Sequence, residues 1–296
     1  MKPLKFAHVV ISILSFLIAS QSFAIDWTDL AQNEPFQCLY APSSEKATNT
    51  VLIAHGINIK PSKMHSLIEF YHSNNFNVVF VVLEGHVKES TGTMPERTQP
   101  WFAQVQYCAK KAKTISYQEH TSLDFVGYSM GGLLGMRLLQ ENPTLFRHME
   151  LFAPALAIRK SMHLVRMFWK SFSVPSLSEV GYSMHSFVSA ERYHHLFEIY
   201  DEFHQKVATH MLSTASVNIY LHPNDPLIDW KKLHALRHKN SSIHHWQIFD
   251  IRKIYEEHTS IGTKSLIKHL IIDEHTLGSD NWQRLLNKLK THFPTP

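Results

Sequence analysis

The sequence G-Y-S-M-G at residues 127–131 places Ser129 between two glycines. An apolar run at residues 123–126 precedes it, and a helical pattern follows it to about residue 142. This order predicts a strand, a sharp turn and a helix, with Ser129 at the apex of the turn. The chain has only 10 glycines in 296 residues, and four of them lie between residues 127 and 135. Chance is therefore a poor explanation of the pattern.

A serine in such a turn has the exposure that a nucleophile needs. Gly127 and Gly131 would let the strained backbone pass close to neighbouring elements. A hydroxyl is a weak nucleophile, so it also needs a base and N–H donors for the oxyanion that forms. The N–H of Met130, at the positive end of the following helix, is the first expected donor.

Alternating apolar and amphipathic segments predict an α/β fold. Strands are predicted at residues 51–54, 77–83, 123–126, 149–153, 217–221 and 245–249, and helices at 64–74, 100–115 and 280–293. This alternation indicates a mostly parallel sheet with helices on both faces, which binds ligands beyond the carboxyl ends of its strands.

One segment interrupts the alternation. Residues 155–216 are far too many for an ordinary connection in such a fold, so we expect a mainly helical cap over the site. The predicted core of the fold then consists of residues 25–154 and 217–296. No linker or internal repeat divides it.

The arrangement of motifs resembles the α/β-hydrolase superfamily. His55-Gly56 follows one predicted strand, Leu83-Glu84-Gly85-His86 follows the next, and the serine turn and cap come after them. Over residues 47–293 the pattern is most similar to the lysophospholipase and monoacylglycerol lipase branch. That branch has Asp-x-x-Gly-His-Gly at this position, whereas this chain has Val87 in place of the final glycine. The resemblance implies that the N–H of Ile57, after the His-Gly pair, is the second oxyanion donor.

The acid and the base are sought after the serine, in that order along the chain. Asp225 lies in a Pro- and Asn-containing turn after the strand at 217–221 and is the preferred acid, with Asp229 in reserve. His269 is the preferred base, because the sequence that follows it is similar to the family's histidine loop. His258 and His275 remain alternatives.

The expected reaction is ester hydrolysis through an acyl-enzyme, without a cofactor or metal. The cap favours lipid-like substrates, such as a lysophospholipid or a monoacylglycerol. Apolar residues recur there at helical spacing beside four cations with no acid between residues 155 and 178: Ile158, Met162, Val165, Trp169 and Phe172, with Arg159, Lys160, Arg166 and Lys170. This stripe packs on the core or touches a lipid surface.

Other functions were weighed on the same residues. A peptidase or amidase uses the same catalytic groups, and a non-catalytic binding protein can keep the same fold. The histidine pairs have no accompanying metal-binding motif and are interpreted as solvated: His194-His195, His244-His245, and His234 with His238.

The amino terminus has the pattern of a secretory signal. Lys2 and Lys5 precede an apolar stretch, and Ser22-Phe23-Ala24 resembles a cleavage site, so residues 1–24 are predicted to be removed and the mature chain exported. Without those lysines the formal net charge falls from +4 to about +2, which argues against nucleic acid as a partner. A disulfide between Cys38 and Cys108 and two separate thiols are equally compatible with the sequence.

Overall fold

A computed structural model describes residues 37–87, 90–94, 100–167, 173–176, 181–207, 214–239, 245–254 and 268–293. The predicted signal segment and His258 lie outside these ranges, as do Trp169, Lys170 and Phe172 of the cap. Within them, no helix has the length and apolarity required to cross a bilayer.

The main sheet has seven strands in the described residues, in the order β1-β3-β2-β5-β6-β9-β10. Their bounds are β1 Gln37–Ala41, β2 Asn49–Ala54, β3 Phe76–Val82, β5 Leu123–Tyr128, β6 His148–Phe152, β9 Ser216–Leu221 and β10 Trp246–Asp250. All neighbours are parallel except β1, which pairs with β3 in the antiparallel sense. Every residue of β2, β3 and β5 is buried, as expected of parallel strands covered on both faces.

Helices cover this sheet through their apolar sides. The α-helices are α1 His65–Ser73, α2 Trp101–Gln118, α3 Met130–Glu141, α4 Ala190–Val207, α5 Trp230–Lys239, α6 Glu274–Leu277 and α7 Ser279–Lys290. In α7, Trp282, Leu285 and Leu289 are buried at the three- and four-residue spacing of one helical face. Helix α3 is buried over nearly its whole length, between β5 and α4.

The predicted cap region contains more strand than expected. Within residues 155–216 lie a 3-10 helix at Lys160–Met167, strands β7 Ser173–Pro175 and β8 His185–Ser189, and α4. Strand β8 joins β7 and β4 (Ser90–Thr93) in a separate three-stranded sheet. The apolar stripe predicts an α-helix at the position of the 3-10 helix. The strands were not predicted, because three to five residues are too few to show a period.

A disulfide joins the edge of the sheet to a helix. Cys38 in β1 and Cys108 in α2 are 70 residues apart in sequence, and their Cα atoms are 5.5 Å apart. The bridge closes a loop that contains β2, α1 and β3. Closing a loop of this length restricts the unfolded chain.

Candidate active site

Ser129 lies in a strained turn between β5 and α3. Its φ of 51° and ψ of −115° are uncommon for a residue with a side chain. The turn is held by the Ser129 N–H, which donates to the Phe152 carbonyl (2.9 Å), and by the Ser129 carbonyl, which accepts from the Ala155 N–H (3.0 Å). These bonds fix the serine at the carboxyl ends of β5 and β6.

The glycines around the serine are required by close approach. A Cβ at Gly131 would collide with the backbone carbonyl of Ala54 at the end of β2. A Cβ at Gly127 would lie 2.7 Å from the Cα of Gly132, closer than real Cβ contacts. The backbone of α3 can therefore start directly against the sheet only because these positions lack side chains.

The structure brings Ser129, His269 and Asp225 together in one line. His269 Nε2 is 3.1 Å from Ser129 Oγ, and His269 Nδ1 is 2.7 Å from Asp225 Oδ2. Asp225 is fully buried, and His269 is 5% exposed. With a proton on Nδ1 and a lone pair on Nε2, this imidazole can accept the serine proton while the carboxylate supports the resulting cation.

The Asp225 carboxylate is oriented by its own turn. Oδ1 accepts hydrogen bonds from the N–H groups of Leu227 (2.7 Å) and Ile228 (2.9 Å), which leaves Oδ2 for His269. Arg159 Nε donates to the Asp225 carbonyl at 2.7 Å and ties the turn to the residues after β6. Asp229, the reserve candidate for the acid, does not contact His269 in the described hydrogen bonds. Its Oδ1 accepts from the Lys232 N–H (3.0 Å) at the start of α5.

The other histidine candidates are accounted for separately. His275 lies in α6, where its ring stacks on Tyr182 with centroids 6.2 Å apart. Asp273, in the loop after His269, accepts from the Tyr182 hydroxyl (2.7 Å) and from the Thr276 N–H (2.9 Å), so it anchors that loop. His258 lies outside the described residues.

The two expected oxyanion donors border the same serine. Met130 is the first residue of α3, whose initial N–H groups have no partner within the helix. Ile57 lines the pocket that contains Ser129. A Cβ built on Gly56 would lie 3.1 Å from Ser129 Cβ, which shows how closely the His55-Gly56 loop passes the serine.

Two buried histidines hold that loop. His55 Nδ1 donates to the Gly56 carbonyl (2.8 Å), and His55 Nε2 accepts from the Leu83 N–H (3.1 Å). His86 Nε2 accepts from the Asn58 N–H at 2.8 Å. Burial lowers the pKa of His55 from 6.5 to about 4, and it lowers the pKa of His86 well below its usual value, with the nearby His55 as a second cause. Both rings are therefore neutral acceptors at physiological pH.

Asn58 connects this loop to the small sheet and was not singled out from the sequence. Its φ is 52°, its Oδ1 accepts from the His185 N–H (2.9 Å), and its Nδ2 donates to Ser176 Oγ and to the His185 carbonyl (both 2.9 Å). An asparagine directly after the His-Gly-Ile sequence was the available signal, because Asn tolerates left-handed backbone better than most residues.

Val87, which stands where the lipase branch has a glycine, lies in a part of the turn that does not require one. The Val87 side chain is 59% exposed, and its φ is outside the left-handed region, in contrast to Gly85 at +84°. The turn thus uses one left-handed glycine, with the Gly85 carbonyl bonded to His185 Nε2 at 2.6 Å. A glycine at position 87 is not needed for this geometry.

An apolar pocket opens above the serine. The space between its lining residues amounts to about 750 Å³, including the part that is open to solvent. Its wall comprises Ile57, Asn58, Tyr128, Ser129, Ala155, Ile158, Met162, Ser176, Tyr193, Leu196, Phe197, Leu227, Ile228, His269 and Leu270. Three of these, Tyr193, Leu196 and Phe197, come from α4, so the cap region supplies much of the apolar wall.

Sequence comparison matches residues 45–237 to the family described as serine aminopeptidase, S33. A search of curated proteins found no match. The matched range contains the serine turn, the His55-Gly56 loop and Asp225.

Solved structures share the fold at low sequence identity. A soluble variant of the monoglyceride lipase from Saccharomyces cerevisiae, in complex with a substrate analog, aligns with a TM-score of 0.67 and 12% identity over 88% of this chain and 92% of that one. A structure from the pair LipS and LipT, two metagenome-derived lipolytic enzymes, aligns with a TM-score of 0.56 and 17% identity over 74% of this chain and 88% of that one. The monoacylglycerol lipase of Paleococcus ferrophilus aligns with a TM-score of 0.54 and 15% identity over 72% of this chain and 88% of that one. The predicted α/β-hydrolase fold is confirmed.

Proposed function

Because the chain belongs to the serine aminopeptidase S33 family of α/β-hydrolases, we propose that it is a serine hydrolase that cleaves carboxylic esters with apolar acyl groups. The observation that carries the proposal is the line from Ser129 Oγ through His269 to Asp225 Oδ2, at 3.1 and 2.7 Å, on the floor of an apolar pocket. Lysophospholipids and monoacylglycerols are the substrate classes that we expect.

In the proposed mechanism His269 Nε2 removes the Ser129 proton as Oγ attacks the ester carbonyl. The tetrahedral oxyanion is stabilised by the N–H groups of Met130 and Ile57, and Asp225 supports the imidazolium. The imidazolium then protonates the leaving alcohol, which leaves an acyl-enzyme. Water, deprotonated by the same imidazole, attacks the acyl-enzyme and releases the acid.

The pocket wall favours an acyl chain over a peptide. Apolar side chains line the pocket together with Ser129: Ile158, Tyr193, Leu196, Phe197 and Ile228. Each methylene moved from water into such a wall contributes about 0.8 kcal/mol. An aminopeptidase has to bind a charged α-amino group, and within the described residues the wall has no carboxylate to bind it. The family description thus supplies the second candidate, and the chemistry of the wall favours the first.

A labelling and substrate experiment tests the proposal. A fluorophosphonate probe should modify wild-type protein at Ser129 and should not modify Ser129→Ala, whereas Ser122→Ala, an exposed serine at the other end of β5, should label like wild type. Purified protein should hydrolyse lysophospholipid or monoacylglycerol, and nitrophenyl esters increasingly well with acyl length. Hydrolysis of aminoacyl nitroanilides alone would replace the ester proposal with the peptidase, and absence of labelling at Ser129 would refute both.

Export is a further part of the proposal. The signal-like sequence of residues 1–24 and the disulfide between Cys38 and Cys108 support it, because disulfides persist in oxidising compartments. Amino-terminal sequencing of the protein recovered from its native compartment should begin at Ile25. A chain recovered with its first residues intact and both thiols reduced would contradict export.

We also propose a transient contact between the cap region and an anionic lipid surface. In the 3-10 helix, Leu164 is 57% exposed and Lys160 is exposed, whereas Arg166 pairs with Asp201. Two exposed side chains support only weak adsorption. Cosedimentation with anionic vesicles should exceed that with neutral vesicles, and Lys160→Glu should remove the difference. Equal binding of the variant would assign the contact elsewhere.

A further inference from the structure

Four side chains meet at the amino-terminal end of the main sheet, away from Ser129. His148 and Glu150 are two residues apart on β6, so their side chains lie on one face of the sheet. Asn218 is directly beside Glu150 on β9. His292, two residues after α7, contacts Glu150 and Asn218. We call these four residues the amino-end cluster.

The polar atoms of the cluster converge on a small volume. Glu150 Oε1 is 2.6 Å from His148 Nε2 and 2.8 Å from His292 Nδ1. Asn218 Nδ2 is 3.2 Å from Glu150 Oε1, 3.2 Å from His148 Nε2 and 2.9 Å from His292 Nδ1. Glu150 and Asn218 are 2% and 1% exposed, while the imidazoles of His148 and His292 are 12% and 17% exposed and form the rim.

The hydrogen bonds within the cluster conflict with one another and leave buried polar atoms without partners. His148 Nε2 and His292 Nδ1 each lie next to both Glu150 Oε1 and the NH₂ group of Asn218. The carboxylate oxygen requires an N–H on the imidazole nitrogen, whereas the amide NH₂ requires a lone pair on the same nitrogen. Turning the Asn218 amide over places its oxygen against Glu150 Oε1 instead. In addition, the buried Glu150 Oε2 and Asn218 Oδ1 have no hydrogen-bond partner. The Tyr220 hydroxyl beside Glu150 is also buried without a partner among the described residues, and buried polar atoms without partners are costly.

We propose that the amino-end cluster binds one divalent first-row transition-metal ion of the zinc type. His148 Nε2, His292 Nδ1 and a Glu150 oxygen would be the ligands, and the Asn218 amide oxygen a fourth donor. Two imidazoles and one carboxylate are a ligand set that zinc accepts. The ligand atoms of His148, Glu150 and His292 all lie within 4.8 Å of one another.

The proposed role of the ion is structural. It would join the end of α7 to β6 and β9. Strand β6 ends at Phe152, whose carbonyl accepts the Ser129 N–H, so the serine and the cluster lie at opposite ends of the same strand. The ion would therefore act on stability and would not take part in ester cleavage. It also differs from the histidine pairs considered from the sequence, none of which includes His148 or His292.

Metal titration of tag-free protein, first stripped with EDTA, tests the site. Zn²⁺ should bind at one ion per chain in calorimetry, and Co²⁺ should give the visible absorption of a four- or five-coordinate ion. A hundredfold excess of Zn²⁺ over its dissociation constant should raise the midpoint temperature of unfolding by about 5 °C. His292→Ala and Glu150→Gln should each weaken binding at least tenfold.

The controls separate the site from adventitious binding by the 22 histidines. His65→Ala removes a half-buried histidine that contacts Glu69 (2.9 Å) and should bind Zn²⁺ like wild type. If Glu150→Gln fails to fold, as judged by circular dichroism, His292→Ala and His292→Gln decide the result, because that side chain lies at the rim beyond the last helix. Unchanged Zn²⁺ affinity in the His292 variants, or no stoichiometric binding by wild type, would overturn the proposal.

Discussion

The two ends of the central strands carry buried polar groups of different design. At the carboxyl end, Ser129, His269 and Asp225 form a line in which each hydrogen bond has one donor and one acceptor. At the amino end, Glu150 Oε1 receives three groups at once, and other acceptors remain without partners. The linear arrangement can pass a proton from Ser129 to His269. The convergent nitrogen and oxygen atoms at the amino end can instead coordinate a cation.

The histidines show the same contrast. His55 and His86, behind the serine, accept backbone N–H groups, and burial lowers their pKa values. His148 and His292 face a carboxylate instead. Four imidazoles in one domain thus act in two ways, and their partners decide which. Substitutions at the two ends should therefore have separable effects on activity and stability.

The largest expected effect is at the carboxyl end, for Asp225→Asn. An amide can donate to His269 Nδ1 and stabilise the tautomer that cannot accept the serine proton, so kcat for ester hydrolysis should fall about 10⁴-fold. Asp229→Asn, four residues away at the start of α5, should keep kcat within about twofold, because a cap contributes to stability. Initial rates on one ester measure both, and equal losses in the two variants would refute the assignment of the acid.

The second prediction concerns acid stability and His55. Its pKa is about 4 in the folded protein and 6.5 when exposed, so the unfolded chain takes up the proton first as the pH falls. The free energy of unfolding should therefore drop by about 3 kcal/mol from this group between pH 6.5 and pH 4. His86 lies beside this loop, and because burial also lowers its pKa it adds to the total.

Comparison of variants isolates the His55 contribution. His55→Gln can still accept the Leu83 N–H and does not titrate in this range, so denaturant melts at pH 6.5 and pH 4 should differ by about 3 kcal/mol less than in wild type. The same change at His65, which lies in α1 away from this loop, should leave the difference as it is in wild type. A His55→Gln protein with the wild-type pH dependence would show that His55 does not titrate as described.

The third prediction tests whether the small sheet positions the oxyanion loop. Asn58→Gly removes three side-chain hydrogen bonds to Ser176 and His185 and keeps the left-handed backbone accessible. We expect kcat to fall about tenfold with little change in KM, because a displaced N–H at Ile57 stabilises the transition state less.

A second asparagine supplies the control for this substitution. Asn75 also has a left-handed backbone, with φ of 60°, and lies before β3, away from the serine. Asn75→Gly should leave kcat within about twofold, because no oxyanion donor depends on it. If both variants lose activity equally, or if Asn58→Gly keeps full activity, Asn58 has only a structural role.

Much of the carboxyl end could be predicted from the sequence, because strand ends, chain order and glycine spacing are local signals. They located Ser129 and the turn of Asp225, whereas the preference for His269 over His258 and His275 rested on the family resemblance. The bonds of Asn58 span 118 and 127 residues, and the amino-end cluster joins His148 to His292 across 144 positions. Such contacts depend on tertiary packing that no local pattern encodes. The strands β4, β7 and β8 escaped prediction because three to five residues are too few to show a period.

The smallest effect is expected at the amino end, for His292→Ala with EDTA present. The variant loses one hydrogen bond to Glu150, while His148 still donates to the same oxygen, so the free energy of unfolding should fall by about 1 kcal/mol. Thr291→Ala, at the exposed neighbouring residue, should cost less than about 0.5 kcal/mol. Esterase activity of both variants should equal that of wild type, because the cluster lies at the far end of β6 from Ser129. Activity loss in His292→Ala without unfolding would mean that the two ends of the sheet are coupled and would end the separation argued here.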